Sequence, residues 1–569
     1  MRPFSPAAGP PAAGPIAAGP PADPPGLDPA AVRERFRRAR ERRSNWEGLW
    51  QECYDFALPQ RGGVLEREAP GGRRTDRLFD GTAPDAVDQL AASLLAHLTP
   101  PWSRWVGFVP GPDLPESEHD AVGPALEAAA EVLHGHLDRS NFAVEVHQCF
   151  LDLVVGGTAS LLVEEAPPGE PSAFRFTAVP LPDAVLEEGP DGRLDVTFRR
   201  TEATRDQLER RFPGLVLPDR LARDTERDPR RTIALIEAVL PEPPRSGSAY
   251  RWMVLFEDGD ADEPPVARGR FAHAPFVNFR WLKAPGEVYG RSPVMKALPD
   301  IKTANKVVEL VLKNASIAVT GIWQADDDGV LNPAAVKLTP GTIIPKAVGS
   351  AGLTPLEAPG KFDVSQLVLE DMRARVRHAL LADQLAQIHA PRMTATEVLE
   401  RAAQMARLLG ATYGRLQTEL VVPLVRRCLD ILTRRGEIDG LPLDGRLVDL
   451  QHRSPLAQSQ GQRDAQGTLA WLQTALALGP EAASAVDAAA AARWLGERFG
   501  VPAELMRAPP DPAALPADPD LTGADLTGAA AALGPMDDPM ADPAAAGAVA
   551  AVDPALADEA AQGAGGGHG

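Results

Sequence analysis

Cysteine is scarce in this chain. Cys53, Cys149 and Cys428 stand far apart on helical patterns, with no CxxC pair and no His/Cys cluster beside them. That spacing excludes a disulfide framework and a zinc site and predicts buried free thiols in a reducing compartment. Long apolar runs are missing too. No stretch reaches about 18 apolar residues, so no membrane span is expected. The N-terminus has no apolar core beside a cleavage site, so no signal peptide is expected, and the chain reads as intracellular and soluble. Catalytic signatures are absent as well: there is no Gly-rich loop ending in GK[ST], no GxSxG elbow and no HExxH helix. The histidines are scattered, and His97, His147 and His378 sit on helical patterns without partner spacing. Neither catalysis nor a cofactor is expected. Asp326-Asp327-Asp328 invites a metal or nuclease reading, but adjacent aspartates in a Gly-flanked turn point different ways and read as a solvated loop.

Positive charge is missing from the end of the chain. After Arg507 there are ten acidic residues and no Lys or Arg, half of the net charge of −20. An acidic, Ala- and Pro-rich tail over 508–569 cannot bury enough to fold alone, and the AAGPP-like steps of residues 1–28 read the same way. The remaining length is too great for one core and predicts about two to four packed units.

Between the ends, the elements are legible. Residues 29–58 predict a charged helix whose middle, RERFRRARERRSNWEGLW, carries seven arginines and three interleaved glutamates. The spacing suits intrahelical pairing on an exterior helix. Direct DNA contact is the competing reading, and the aromatic C-terminal end suits docking. Residues 113–165 predict two helices joined near Ser140-Asn141, the second ended by Gly156-Gly157, then a strand over Ser160–Val163. From about 173 to 283 the apolar period falls to two, predicting a mostly-β module interrupted by one helix, Arg205–Phe212.

The stretch from Arg73 to Phe108 is the most informative. An arginine-rich lead runs into Phe79-Asp80-Gly81-Thr82, then a helix with Val87, Leu90, Ala91, Leu94, Leu95 and Leu98 on one stripe. Asp80, Thr82 or Asp85 can cap it, and Pro84 suits its first turn. Pro100 and Pro101 stop it, and Trp102 and Trp105 anchor the chain beyond it. A second distinctive stretch is Tyr289-Gly290-Arg291-Ser292-Pro293, a turn into a helix expected to run to Val319, about 40 Å. Pro299 lies inside it. Lys302, Lys306, Glu309 and Lys313 share one face, while Ile301, Val308, Val311, Leu312 and Ala315 share another. Short Gly- and Pro-rich strands come next over 320–362, then a helix over Asp363–Gln384. After a break, a long helix begins at Thr394 or Thr396 with Glu397 completing a box-like start, and a kink is expected at Pro423. Further helices are expected near 465–478 and 482–499.

The Arg73–Phe108 stretch, the YGRSP turn and the Met393–Val398 start of the long helix resemble, in this order, the head-to-tail connecting proteins, or portals, of short-tailed bacteriophages. The resemblance covers roughly residues 30–500. It implies an α+β, mostly helical fold: a wing over 29–290 with its β module at 165–283, a stem helix at 291–319, and a clip at 320–362. A second stem helix would follow at 363–384, then a tunnel-loop-like connection at 385–393, a long wing helix at 394–460 and a crown-like region at 461–507. It further implies a homo-oligomeric ring, dodecameric in particles, at one capsid vertex of the virion and assembled in the bacterial cytoplasm. Double-stranded DNA would pass through it. The terminase large subunit, tail adaptor proteins, and capsid and scaffold proteins would be its partners. On this reading the stripe of Lys302, Lys306 and Lys313 faces the channel lumen, against the alternative of a solvated or intersubunit face. Gln387, His389 and Arg392 are candidate DNA contacts at the narrowest point, against a plain helix–helix connection. Another virion interaction protein, such as a tail adaptor or an internal core protein without a through-channel, is the alternative function.

Overall fold

The computed structural model describes residues 28–61, 75–101, 103–242, 250–260, 263–320, 323–325, 348–349, 353–355, 362–385, 409–410, 412–452, 465, 467–475, 477–478 and 486–499. All of them lie in the first of the two units into which the chain divides, Met1–Met506 and Arg507–Gly569.

Helix α1 (Pro29–Ala57) opens on Asp28, whose carboxylate accepts from the Ala30 amide at 3.1 Å, with proline at the first helical position. It serves two cores. Val32, Phe36 and Ala39, at spacings of four and three, bury against a sheet, while Trp50, Cys53, Tyr54 and Ala57 bury in the main helical core. Of the expected stripe, helix α2 (Thr82–Leu98) buries Val87, Leu90, Ala91, Leu94 and Leu98 and leaves Leu95 half-buried. Strand β1 (Val106–Pro110) follows, then α3 (Glu116–Asp138) and α4 (Phe142–Gly156). Every residue of α4 from Cys149 to Gly156 is buried, so this helix runs through the middle of the core. It ends at Gly157 in the left-handed region, φ 77°.

Two antiparallel sheets come next. Strand β2 (Thr158–Glu165) pairs with β3 (Phe174–Val179). A second sheet is built from β4 (Ala184–Glu187), β5 (Val196–Thr204), β6 (Thr232–Pro241), β7 (Tyr250–Phe256) and β8 (Ala267–Phe271), in that spatial order. Between β5 and β6 run the short helices α5 (Arg205–Arg211) and α6 (Asp219–Arg227). Strand β9 (Phe276–Arg280) returns to pair with β2, giving the order β3-β2-β9. The strands expected between 173 and 283 are divided between two sheets. Strand β6 explains why. Ile236, Ala238 and Leu240 face α1, whereas Ile233 and Leu235 face Leu208 and Leu221 of α5 and α6. A strand covered on both faces loses simple alternation, and its run of apolar residues does not declare its sheet.

The remaining elements begin with α7 (Pro293–Thr320), which runs through Pro299 without interruption. It leads to a small antiparallel pair, β10 (Trp323–Ala325) with β11 (Leu353–Pro355), and then to α8 (Phe362–Ala379), which packs along α7. The sequence pattern carries this second helix to Gln384. Instead α8 stops at Ala379, Leu381 takes a left-handed conformation (φ 58°), and a one-turn helix α9 (Ala382–Leu385) follows. Near Pro423 the helix is a π-turn, Gln417–Val421, before α10 (Val422–Arg435), because proline at the start of α10 offers no amide to continue the ladder. Helix α10 ends at Gly436 (φ 73°), well short of residue 460. The chain then forms β12 (Val448–His452), which pairs with β1 across more than 300 residues of sequence, Val106 opposite His452. Helix α11 spans Ala488–Phe499.

The arginines of α1 are mostly committed to the five-stranded sheet. Arg35 and Arg42 both pair with Glu187, Arg40 pairs with Glu257, and Arg43 donates to the Pro182 and Ala184 carbonyls as well as to Glu47. Intrahelical pairing supplies only part of the balance, through Glu34 and Glu47. Among the described residues no helix is long and apolar enough to cross a membrane.

Candidate channel helices and the joints that hold them

The Phe79-Asp80-Gly81-Thr82 turn is a three-way clamp. The Asn305 side chain, from α7, accepts from the amides of Phe79 (2.6 Å) and Asp80 (3.1 Å) and donates to the Arg77 carbonyl (2.9 Å). Asp80 accepts from the Thr82 amide (2.9 Å) through one carboxylate oxygen and from Arg373 of α8 (2.8 Å) through the other. Burial pushes the Asp80 carboxyl up, but the hydrogen bonds from Thr82 and Arg373 outweigh it and leave it below the usual carboxylate range. Helix α2 is thus capped from one residue further out than a standard N-cap: Gly81 occupies the cap and Asp80 does the accepting. One aspartate and one asparagine thus tie the start of α2 to both α7 and α8.

The Tyr289-Gly290-Arg291-Ser292-Pro293 turn is a second joint, at the N-terminus of α7. Tyr289 is buried against Trp50 and Trp46, with ring centroids at 4.9 and 6.0 Å, and its hydroxyl accepts from the Leu186 amide. Its hydroxyl pKa is pushed up to about 12 by burial. Gly290 donates to Thr158 at 2.8 Å and lies against Gly157 so closely that a methyl group on either would sit 2.2–2.3 Å from the other's carbonyl oxygen. Ser292 donates to the Val155 carbonyl and accepts from the Met295 amide, capping α7. Just beside it Arg280, wholly buried, is held by Glu419 at 2.7 Å and by the carbonyls of Gly192 and Val288. A buried guanidinium needs this many acceptors to offset its lost hydration.

The lysine face of α7 is present. Lys306 and Lys313 both hold Glu309, at 2.9 and 2.6 Å, and Lys302 reaches Glu52 of α1 at 3.2 Å. Hydrogen bonds from Lys313 and then Lys306 hold the Glu309 carboxyl below its usual range. All three lysines are exposed. The opposite face is buried only near the start of the helix, at Ile301 and Ala304. Leu312, which shares a face with Ile301, is 53% exposed, and Leu310 is 50% exposed. Gln387, His389 and Arg392 lie outside the described residues, as do Asp326-Asp327-Asp328 and the start of the long helix at Thr394. Among the described residues no three His, Cys, Asp or Glu side chains gather as a metal site would require. The three cysteines are buried, free and apart, and burial pushes the Cys53 thiol up to about 12.

Residues 30–506 match the family described as Bacteriophage head to tail connecting protein. The chain belongs to that family. It is 25% identical to the probable portal protein of Bordetella phage BPP-1 over 75% of this chain and 79% of that one. It is 24% identical to the portal protein of Enterobacteria phage T3 over 70% of this chain and 74% of that one. For the portal protein of Salmonella phage epsilon15 the figures are 23%, 81% and 85%. Among solved structures, a chain of the virion of a native gene transfer agent particle overlaps 73% of this chain and 94% of its own length at a TM-score of 0.34 and 12% identity, too loosely to argue from. As a connector the chain is a structural, non-enzymatic component of the phage capsid–tail connection, with an α+β fold.

Several residues that organise the connector's helices escaped the sequence. Asn305 carried a signal: it lies four residues after Ile301 and three before Val308, a polar side chain on the apolar face of α7. Arg373 was visible only as one of several basic residues on α8. Neither Arg280 nor Glu419 gave any sign, since 139 residues separate them.

Proposed function

We propose that this connector assembles as a closed dodecameric ring at a capsid vertex, and that its axial channel conducts double-stranded DNA during packaging and ejection. In this reading α7 and α8 form the stem and the β10–β11 region the clip. The terminase large subunit and later the tail adaptor proteins dock there, while capsid and scaffold proteins meet the outer body. The observation that carries the reading is the form of the α7–α8 pair. Helix α7 has 28 residues, of which Val294, Ala297, Leu298, Ile301 and Ala304 are buried and the described ones beyond Asn305 are not. At 1.5 Å per residue the helix is about 42 Å long. Along its outer part Leu310 and Leu312, with Leu367 of α8, are left exposed. Apolar side chains in that position suit neighbouring copies in a head-to-tail interface that closes on itself.

The lysine face supports a lumen role on electrostatic grounds. A channel must touch phosphates without retaining them, and each fully engaged phosphate contact adds affinity and salt dependence. Lys306 and Lys313 already share one carboxylate, so DNA gains little by displacing it. Replacing both with glutamate, Lys306→Glu with Lys313→Glu, leaves the core untouched and makes the face repel phosphate. Particles assembled with this variant are expected to package or retain about tenfold less DNA. Unchanged genome content in those particles counts against the lumen assignment.

A further inference from the structure

An open cleft of 680 Å³ lies between the arginine-rich half of α1, the end of β4 and the turn before Tyr289. Its charges are layered. The carboxylates belong to the wall: the side chains of Glu187, Glu188 and Glu287 are 12%, 17% and 25% exposed. The guanidiniums stand at the mouth: Arg35, Arg38, Arg42 and Arg291 are 41%, 63%, 70% and 49% exposed. Glu287 is taken by Arg291 alone, but the other acceptors are shared. Arg35 and Arg42 divide Glu187, Arg37 and Arg38 divide Glu34 with Arg38 no nearer than 3.8 Å, and Glu188 serves Lys283 and Arg280. An incoming ligand therefore meets a lining of four arginines and three glutamates on a chain whose net charge is −20. Behind the charge lies an apolar floor. Trp46 is half-buried there, stacked under Arg291 at 4.6 Å, with Leu49 and Val288 beside it.

We propose that this cleft is the docking site for an acidic peptide segment of a partner protein. Its carboxylates would engage Arg38 and Arg42, and a neighbouring apolar side chain would rest on Trp46. Guanidinium forks match carboxylates in two parallel hydrogen bonds, and the floor rewards an apolar residue that a nucleic acid does not offer at its phosphates. The cleft admits a few side chains. The proposal does not depend on whether the connector's channel conducts DNA.

The test uses the full-length protein and a short fluorescein-labelled peptide of glutamates carrying two leucines, followed by anisotropy. The expected result is saturable binding that weakens as salt rises, with Arg38→Gln plus Arg42→Gln lowering affinity about tenfold. Both positions are exposed and Glu187 keeps Arg35 when Arg42 is replaced, so the melting curve of this variant should stay close to that of the parent. Arg38→Lys plus Arg42→Lys keeps the charge without the fork and should fall between the two. Absence of saturable binding overturns the proposal, as does equal binding by the glutamine variant. Displacement of the peptide by duplex DNA of equal or higher affinity at the same two arginines also overturns it, and assigns the cleft to phosphate.

Discussion

Asn305 shows how much one side chain can organise. It satisfies the buried Asp80 amide, the part-buried Phe79 amide and the part-buried Arg77 carbonyl. Asn305→Ala strands those groups, and each unmet group costs about 1–3 kcal/mol. A loss of at least about 2 kcal/mol in denaturant unfolding is expected, whereas Asn314→Ala, at an exposed position further along α7, should change stability by less than about 0.5 kcal/mol. Asp152 makes a different kind of prediction. It is buried, accepts from the Tyr54 hydroxyl at 2.7 Å and pairs with Arg61 at 2.8 Å, yet burial lifts its pKa to about 6 in spite of Arg61. The unfolded chain titrates this group near about 3.9. A carboxyl whose folded pKa is raised holds its proton better in the native state, so stability falls as pH rises from the unfolded value to the folded one. Melting temperatures of the protein and of Asp152→Asn, compared across pH, should diverge between about pH 4 and about 6 in the direction of a weakening parent, then run parallel. Parallel curves over that whole window would contradict the burial argument.

At the scale of elements, the joints matter more than the elements they connect. The Gly157–Gly290 contact lets the end of α4 and the start of α7 approach to backbone distance, with the Trp281 amide donating to the Gly157 carbonyl at 2.9 Å. Gly290→Ala places a methyl 2.2 Å from the Gly157 carbonyl oxygen and should destabilise by about 3 kcal/mol or more. Gly48→Ala, in open space within α1, should stabilise by about 0.5–1 kcal/mol. Thermal melts of the two variants would check both signs. The same distinction explains what was legible in the sequence. Helices α1, α2, α4 and α7 could be read because apolar period, proline and glycine specify them locally. The pairing of β1 with β12, the division of strands between two sheets and the break at Leu381 could not. Each is decided by partners far along the chain, and a strand covered on both faces has no period to read. At the candidate site the lysine face followed from spacing alone, while its anchors, Asn305 and Arg373, depend on contacts with the Arg77–Asp80 turn more than 200 residues away.

The described part of the first unit divides its labour between a packed body and the α7–α8 pair, whose α7 residues beyond Asn305 are not buried. The body contains α1 to α4 and both larger sheets, with every large buried aromatic in it. The α7–α8 pair is fastened to that body at Asp80, Asn305 and Tyr289, and further out it carries exposed leucines on one side and paired lysines on another. In the proposed ring such leucines would meet neighbouring copies. The clamp at Asp80 suits this division. Its folded pKa is lowered, so its contribution is complete above the unfolded carboxylate range and is lost only as pH falls through the folded value. The central claim is that copies of this chain close around an axial channel. Electron microscopy of the purified full-length protein, with particle mass determined on the same sample, tests it most directly. The account predicts rings of about twelve subunits with a central hole. Closed particles of few subunits with no hole would contradict it.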